Sequence, residues 1–337
     1  MKELQLVKIF FAATLCFLLI YVFWQRGNYS LKKSFAGSDI EAIWQEGDRI
    51  CHLKNPYSRI HVEGSGIKKP PVYLPGFYLG SCLISKALGI NTFREWIKLW
   101  TVANTALGLI LGLILFLYGL YSGRFVPACI VLVLWTLGRW SLHSLASNQI
   151  NMPALIPFAL ALMLYKRNQT ISLLLLGLSL SIKQIAVFTA PVFVLYGLST
   201  LKDSYKDSLK KAFRRAFYII IIPLLITLPF LVDDFSGVLL SISYSAERAS
   251  DLKALRVAET TGISPALQSM LMYFTMLLVY LDSLKGRYSL SALVSLVMLV
   301  FVTLNRVVFT QYLLWALLPL AVLYLSDAKD SRTEVKP

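Results

Sequence analysis

The sequence predicts an all-α, polytopic transmembrane protein of about 10–11 helices. Three observations predict it. The 337 residues are 57% hydrophobic with a mean hydropathy of +0.64, too apolar for a soluble domain of this size. The apolar residues fall in continuous blocks near the roughly 20 residues that a helix needs to span a bilayer, and they do not alternate with polar residues as barrel strands would. The basic residues behind the net charge of +15 lie between these blocks, where basic loops orient helices with Lys and Arg inside. That charge needs no nucleic acid to explain it, and membrane lipids are the expected partner of what remains.

The first block covers positions 6–24, with Lys2 and Lys8 at its start. Trp24-Gln25-Arg26 follows, with no small-residue cleavage site, so the block reads as a retained anchor. Its positive start predicts a cytoplasmic N-terminus and an outer loop over positions 25–71. In that loop Ile40, Ile43, Trp44, Ile50 and Cys51 recur at helical spacing. They predict a short interfacial helix that Asn55-Pro56-Tyr57 ends.

Further crossings are expected over 72–88, 96–121, 125–140 and 150–165. The stretch 171–198 is apolar except for serines and Lys183-Gln184, and is too long for one straight crossing. It reads as one bent crossing or as two short helices meeting at Lys183; one bent crossing is preferred, because the next loop, 202–215, carries six Lys/Arg and belongs inside, and two crossings would put it outside. A crossing over 217–232 leads to a second outer loop, 233–264. Crossings over 265–281, 290–304 and 309–325 follow, and both termini are expected in the cytoplasm. No internal repeat is evident, so the chain reads as a single domain over 1–337.

Of the four cysteines, Cys16, Cys82 and Cys129 fall in apolar blocks and no CxxC spacing occurs. Neither a disulfide framework nor a zinc site is expected. His52, His61 and Glu63 lack a helical ligand spacing, so no metal is assigned.

The outer face gathers the chemistry. One loop carries Asp39 and Glu41, the other Arg248, and the last crossing begins there with Arg306, Gln311 and Tyr312. Sugar transfer from a lipid-linked phosphate needs such a set. Phosphate is already a good leaving group, one carboxylate takes the acceptor's proton, and cations neutralise the released phosphate. Simpler roles stand beside these. Ser38-x-x-Glu41 is also a capping box. Lys69 and its neighbour Lys68 suit lipid headgroups as well as a donor phosphate. Tyr57 and Tyr73 suit a membrane interface, and Lys183 must either reach the interface or line a polar cavity.

Several stretches resemble a known superfamily. Ser38-Asp39-Ile40-Glu41, Asn55-Pro56-Tyr57-Ser58-Arg59 and Tyr73-Leu74-Pro75 resemble the first outer loop of GT-C membrane glycosyltransferases. Among these are the catalytic subunit of GPI mannosyltransferase I and the bacterial and archaeal polyprenyl-phosphate-mannose-dependent enzymes. Asn305 to Trp315 resembles their Lys-Val-x-x-x-Gln-Tyr-x-x-Trp segment, and Ser147 to Asn151 and Ser181 to Gln184 resemble two more. The resemblance implies a GT-C-like fold and an inverting transferase on the outer face of the plasma membrane or ER. Its donor would be a dolichyl- or polyprenyl-phosphate hexose, mannose by resemblance, and its acceptor a glycolipid or glycan.

By the same resemblance Asp39 is the base. Glu41 stands where an Asp-x-Asp pattern would have Asp, so no cofactor is implied. Tyr57, Lys69, Tyr73, Lys183, Arg248, Arg306, Gln311 and Tyr312 are the candidate substrate-binding residues. Two other classes fit the composition. A transporter or lipid flippase would show paired broken helices and an ionisable chain at mid-depth. A non-catalytic subunit of a glycosylation complex would tolerate loss of Asp39.

Overall fold

A computed structural model describes residues 38–61, 71–200, 204–247, 262–305 and 309–326, and before them positions 6, 9–11, 13–17, 20–21 and 24–25. At 38, 39, 200 and 244–247 the description covers the backbone alone. The described positions between 6 and 25 are helical. After them come α1 (Ser38–Cys51), a 3-10 turn (Tyr57–His61), α2 (Gly76–Leu88), α3 (Phe93–Tyr121), α4 (Phe125–Leu137), α5 (Arg139–Ala146), α6 (Asn151–Leu164) and α7 (Gln169–Ile182). A 3-10 stretch (Gln184–Thr189) leads into α8 (Ala190–Leu195), then α9 (Tyr205–Asp233), α10 (Phe235–Glu247), α11 (Pro265–Ser283) and α12 (Leu290–Leu304). A last 3-10 turn (Thr310–Tyr312) opens α13 (Leu313–Leu325). No strand occurs among the described residues. Four helices there are long and apolar enough to cross a membrane: Phe93–Tyr121, Phe125–Ala146, Tyr205–Asp233 and Pro265–Ser283.

Side chains start these helices as the sequence directs. Thr92 and Glu95 form a full capping box at α3, and Asn168, Ser204, Ser264 and Ser289 each accept a first-turn N–H of the helix they precede. The centre is α6, whose inner face includes Met152, Leu155, Phe158 and Leu162. Serines tie it to α7: Ser172 Oγ donates to Ala161 O and Ser179 Oγ to Ala154 O, the small polar contacts that hold apolar helices together.

The stretch expected as one bent crossing, 171–198, instead folds back on itself. At Lys183 the backbone is extended (φ −151°, ψ 121°) and α7 ends. The chain then returns through the 3-10 stretch and α8 to where α7 began. Tyr165, just before α7, meets Phe193 at 5.6 Å and Tyr196 at 5.7 Å edge to face, and its hydroxyl donates to Phe193 O. Lys183 is therefore the tip of a hairpin.

A second correction concerns 72–88. Here α2 has only 13 residues and packs against α1. Cys51 is disulfide-bonded to Cys82, Trp44 meets Phe93 at 5.6 Å, and a Cβ on Gly47 would lie 2.9 Å from that of Ser81. The predicted crossing is the second arm of a helical pair, and the cysteines not expected to bridge do so across it. A helix does form over Ser38–Cys51, as its spacing predicts, and its Ile40 and Ile43 face protein.

These contacts sort the bundle into two ends. At one end Arg124 bonds Tyr324 O, Arg167 lies over the Tyr121 ring, Arg215 bonds Val194 O and Tyr196 O, and Gly197 N–H bonds Ser283 O. Most of the loop Lys and Arg lie there: Arg124, Lys166, Arg167, the run over 206–215, Lys285 and Arg287. At the other end are α1, α2, the Lys183 tip and the start of α6.

Candidate functional site

The non-basic end is assembled around α1. Ile40 and Ile43 are buried in a cluster with Phe77, Tyr78, Trp96, Trp100 and Ile150, so the apolar face that the sequence gives α1 is consumed by protein. The indole of Trp100 donates to Asn148 O at 2.9 Å. Asn148 takes a left-handed φ of 52°, which Asn tolerates better than most residues. The start of α1, with the backbone of Asp39, therefore lies at the same end as the turn into α6.

A clasp holds the loop after α1. Glu46, 1% exposed, pairs with Arg59 at 2.6 Å and faces Arg49 at 3.8 Å. Burial pushes its carboxyl from the usual carboxylate range up to about 7, against the pull of Arg59 and then Arg49. Asn55 Nδ2 donates to Asp233 Oδ2 at 2.8 Å and to Phe230 O at 3.2 Å, and His61 meets Asp234 at 3.0 Å. Through these contacts the loop after α1 is fastened to the junction of α9 and α10.

Beneath the clasp is a buried polar node. Lys183 is 2% exposed, and its Nζ donates to Asn151 Oδ1 at 2.7 Å. Trp315 Nε1 donates to the same oxygen at 3.2 Å. Asn151 Nδ2 donates to Gln311 Oε1 and to Ser144 Oγ, each at 2.9 Å. The rings of Tyr73 and Tyr312 lie 5.7 and 5.8 Å from the Lys183 ammonium, within reach of cation–π attraction. Gln184 Nε2 donates to Val72 O at 3.0 Å, and a Cβ on Gly76 would meet Ser181 O at 2.5 Å. The missing side chain thus lets α2 begin against the end of α7, which places Tyr73 over Lys183.

The structure brings together four residues that the sequence nominates: Tyr73, Lys183, Gln311 and Tyr312. Glu41 is exposed on α1. Tyr57 is 1% exposed; its hydroxyl donates to Tyr73 O at 2.7 Å and its ring packs on Tyr78 and Phe230. It supports Tyr73 and offers no face to a ligand. Lys68, Lys69, Arg248 and Arg306 lie outside the described residues. Sequence reasoning missed Asn151 and Glu46 as site residues. The signal for Asn151 was a polar run, Ser147 to Asn151, that opens directly into an apolar block. Among the described residues no group of three or more His, Cys, Asp or Glu could hold a metal ion.

Chemically, the node is a buried ammonium with a neutral amide partner and aromatic walls, at the end where α1 carries Asp39 and Glu41. Such a set can receive an anion with an apolar body. Compared with protein-family models, curated proteins and solved structures, the chain matches none.

Proposed function

We propose that the protein is a membrane glycosyltransferase that moves a hexose from a polyprenyl-phosphate donor to a glycolipid or glycan acceptor at the non-basic end of the bundle. One observation carries the reading: the buried Lys183 ammonium, between Tyr73 and Tyr312 at the end where α1 begins. In this reading Lys183 neutralises the phosphate as it leaves, and Asp39 takes the proton from the attacking hydroxyl. The apolar helix faces receive the isoprenoid tail. The GT-C resemblance of the sequence supports the same assignment. With the basic end inside, the reaction falls on the outer face.

A transporter reading draws on the same break at Lys183. A midplane relay, however, needs its ionisable residue at mid-depth, and Lys183 lies level with the start of α6.

The test is transfer of radiolabelled sugar from a panel of polyprenyl-phosphate sugars in membranes holding wild type or Asp39→Asn at equal expression. Transfer by wild type and none by Asp39→Asn is the expected result. Equal transfer by both keeps the class and removes Asp39 as base. No transfer by either favours the transporter or non-catalytic subunit.

A further inference from the structure

One cavity at the non-basic end takes no part in the polar node. It holds about 260 Å³ and opens between the C-terminal turns of α1 and α2. Trp44, Asp48, Cys51 and His52 line it from α1 and the residue after it, and Lys86 and Asn91 from α2 and the turn that follows. Positions 44, 48, 51 and 52 fall on one face of a helix. At about 1.5 Å per residue, Asp39 lies about 14 Å back along α1 from Asp48, so the cavity is a separate place from the start of α1.

Its walls are held before anything binds. Cys51 is bridged to Cys82 across the two helices, the Trp44 ring meets Phe93 at 5.6 Å, and His52 Nδ1 lies 2.9 Å from Asp48 O. A preorganised wall spares a ligand the cost of ordering it. Its fixed charges balance, with Asp48 on one helix and Lys86 on the other, and among the described residues no ion pair joins the two. Asp48 can accept, Lys86 can donate, and an asparagine amide such as that of Asn91 can do either. A phosphate would gain the one ammonium and meet the carboxylate opposite. A metal ion would find Asp48 and His52 alone, and no group of three ligating side chains occurs among the described residues.

The occupant that fits is a neutral ring with one apolar face and a rim of hydroxyls that both donate and accept. We propose that this cavity is a subsite for one neutral pyranose sugar of a glycan. The ring's C–H face lies on the indole of Trp44, whose π face is the negative side of its quadrupole. The hydroxyls donate to Asp48 and accept from Lys86. The inference draws nothing from Lys183 or Asp39, so it stands or falls apart from the transfer reaction.

The experiment uses the full chain in nanodiscs, with methyl glycosides of the common hexoses, glucuronic acid and inorganic phosphate as probes, each titrated into the millimolar range. Wild type is expected to bind at least one neutral glycoside and to prefer it to glucuronic acid. Asp48→Ala should weaken that glycoside about tenfold. Trp44→Leu, which keeps an apolar contact for Phe93, should weaken it about three- to tenfold. Lys54→Ala, at the same end but outside the cavity, should leave it unchanged. Should Trp44→Leu fail to fold, Asp48→Ala and Lys86→Ala decide, because both side chains are exposed. If no neutral glycoside binds, or phosphate alone does, the proposal is overturned. It is overturned as well if a glycoside binds and the cavity variants leave its affinity where Lys54→Ala does. Glycoside binding without any sugar transfer would keep this subsite and remove the transferase reading; transfer without glycoside binding here would do the reverse.

Discussion

Glu46 sits 1% exposed against Arg59, yet burial outweighs both guanidinium groups and raises its carboxyl from 4.5 to about 7. A carboxyl that holds its proton more tightly when folded contributes full stability below its unfolded pKa. The contribution is lost as pH rises toward the folded value. At about 1.4 kcal/mol per unit, the loss between about pH 4.5 and 7 is on the order of 3 kcal/mol. Glu46→Gln removes that dependence. Thermal melts of wild type and Glu46→Gln should therefore diverge over this window, with wild type falling relative to the variant as pH rises. If wild type gains instead, the ion pair outweighs burial. Legibility at this scale followed charge contrast. Lys183 is conspicuous because it interrupts an apolar stretch. Asn151 is not, because an asparagine where a helix begins reads as a cap.

At the scale of elements, α1 was legible from its spacing, and its partner was not. The sequence of α2, Gly-Phe-Tyr-Leu-Gly-Ser-Cys-Leu-Ile-Ser-Lys-Ala-Leu, is apolar enough to pass for part of a crossing. Composition does not tell whether an apolar face meets lipid or protein. Here Phe77 and Tyr78 are buried against the cluster that holds Ile40 and Trp96. The same blindness hid the disulfide, since a cysteine in an apolar block gives no pairing signal. The bridge closes 31 residues, and the chain-entropy account assigns such a loop about 3–4 kcal/mol. Alkylating the denatured, unreduced protein should modify Cys16 and Cys129 only, the two free thiols, with two more sites appearing after reduction. Four sites before reduction would remove the bridge. Cys51→Ser should lower the melting temperature by several degrees.

For the whole molecule, composition was enough to read a membrane protein of helices, and parity explains what went astray. Each crossing reverses the side of every loop after it. One false crossing at 72–88 therefore inverted the expected path of 96–165. The hairpin at Lys183 restores the count, so the basic run over 206–215 is still expected inside. The two ends now agree with independent rules. Arg124, Lys166, Arg167 and the basic run over 206–215 gather at one end, as cytoplasmic loops do. The Cys51–Cys82 bridge is at the other, and disulfides persist where the medium is oxidising. By these two rules α1 is expected outside and the start of α9 inside. Lys54 and Lys210 are both exposed and lie at opposite ends, so Lys54→Cys and Lys210→Cys report the two sides. In sealed membranes of known orientation, a membrane-impermeant maleimide should label Lys54→Cys from outside and Lys210→Cys only after permeabilisation. The reverse pattern would turn the bundle over. It would then place Lys183, Tyr73 and Tyr312 on the cytoplasmic side, where a donor displayed on the outer face cannot reach them.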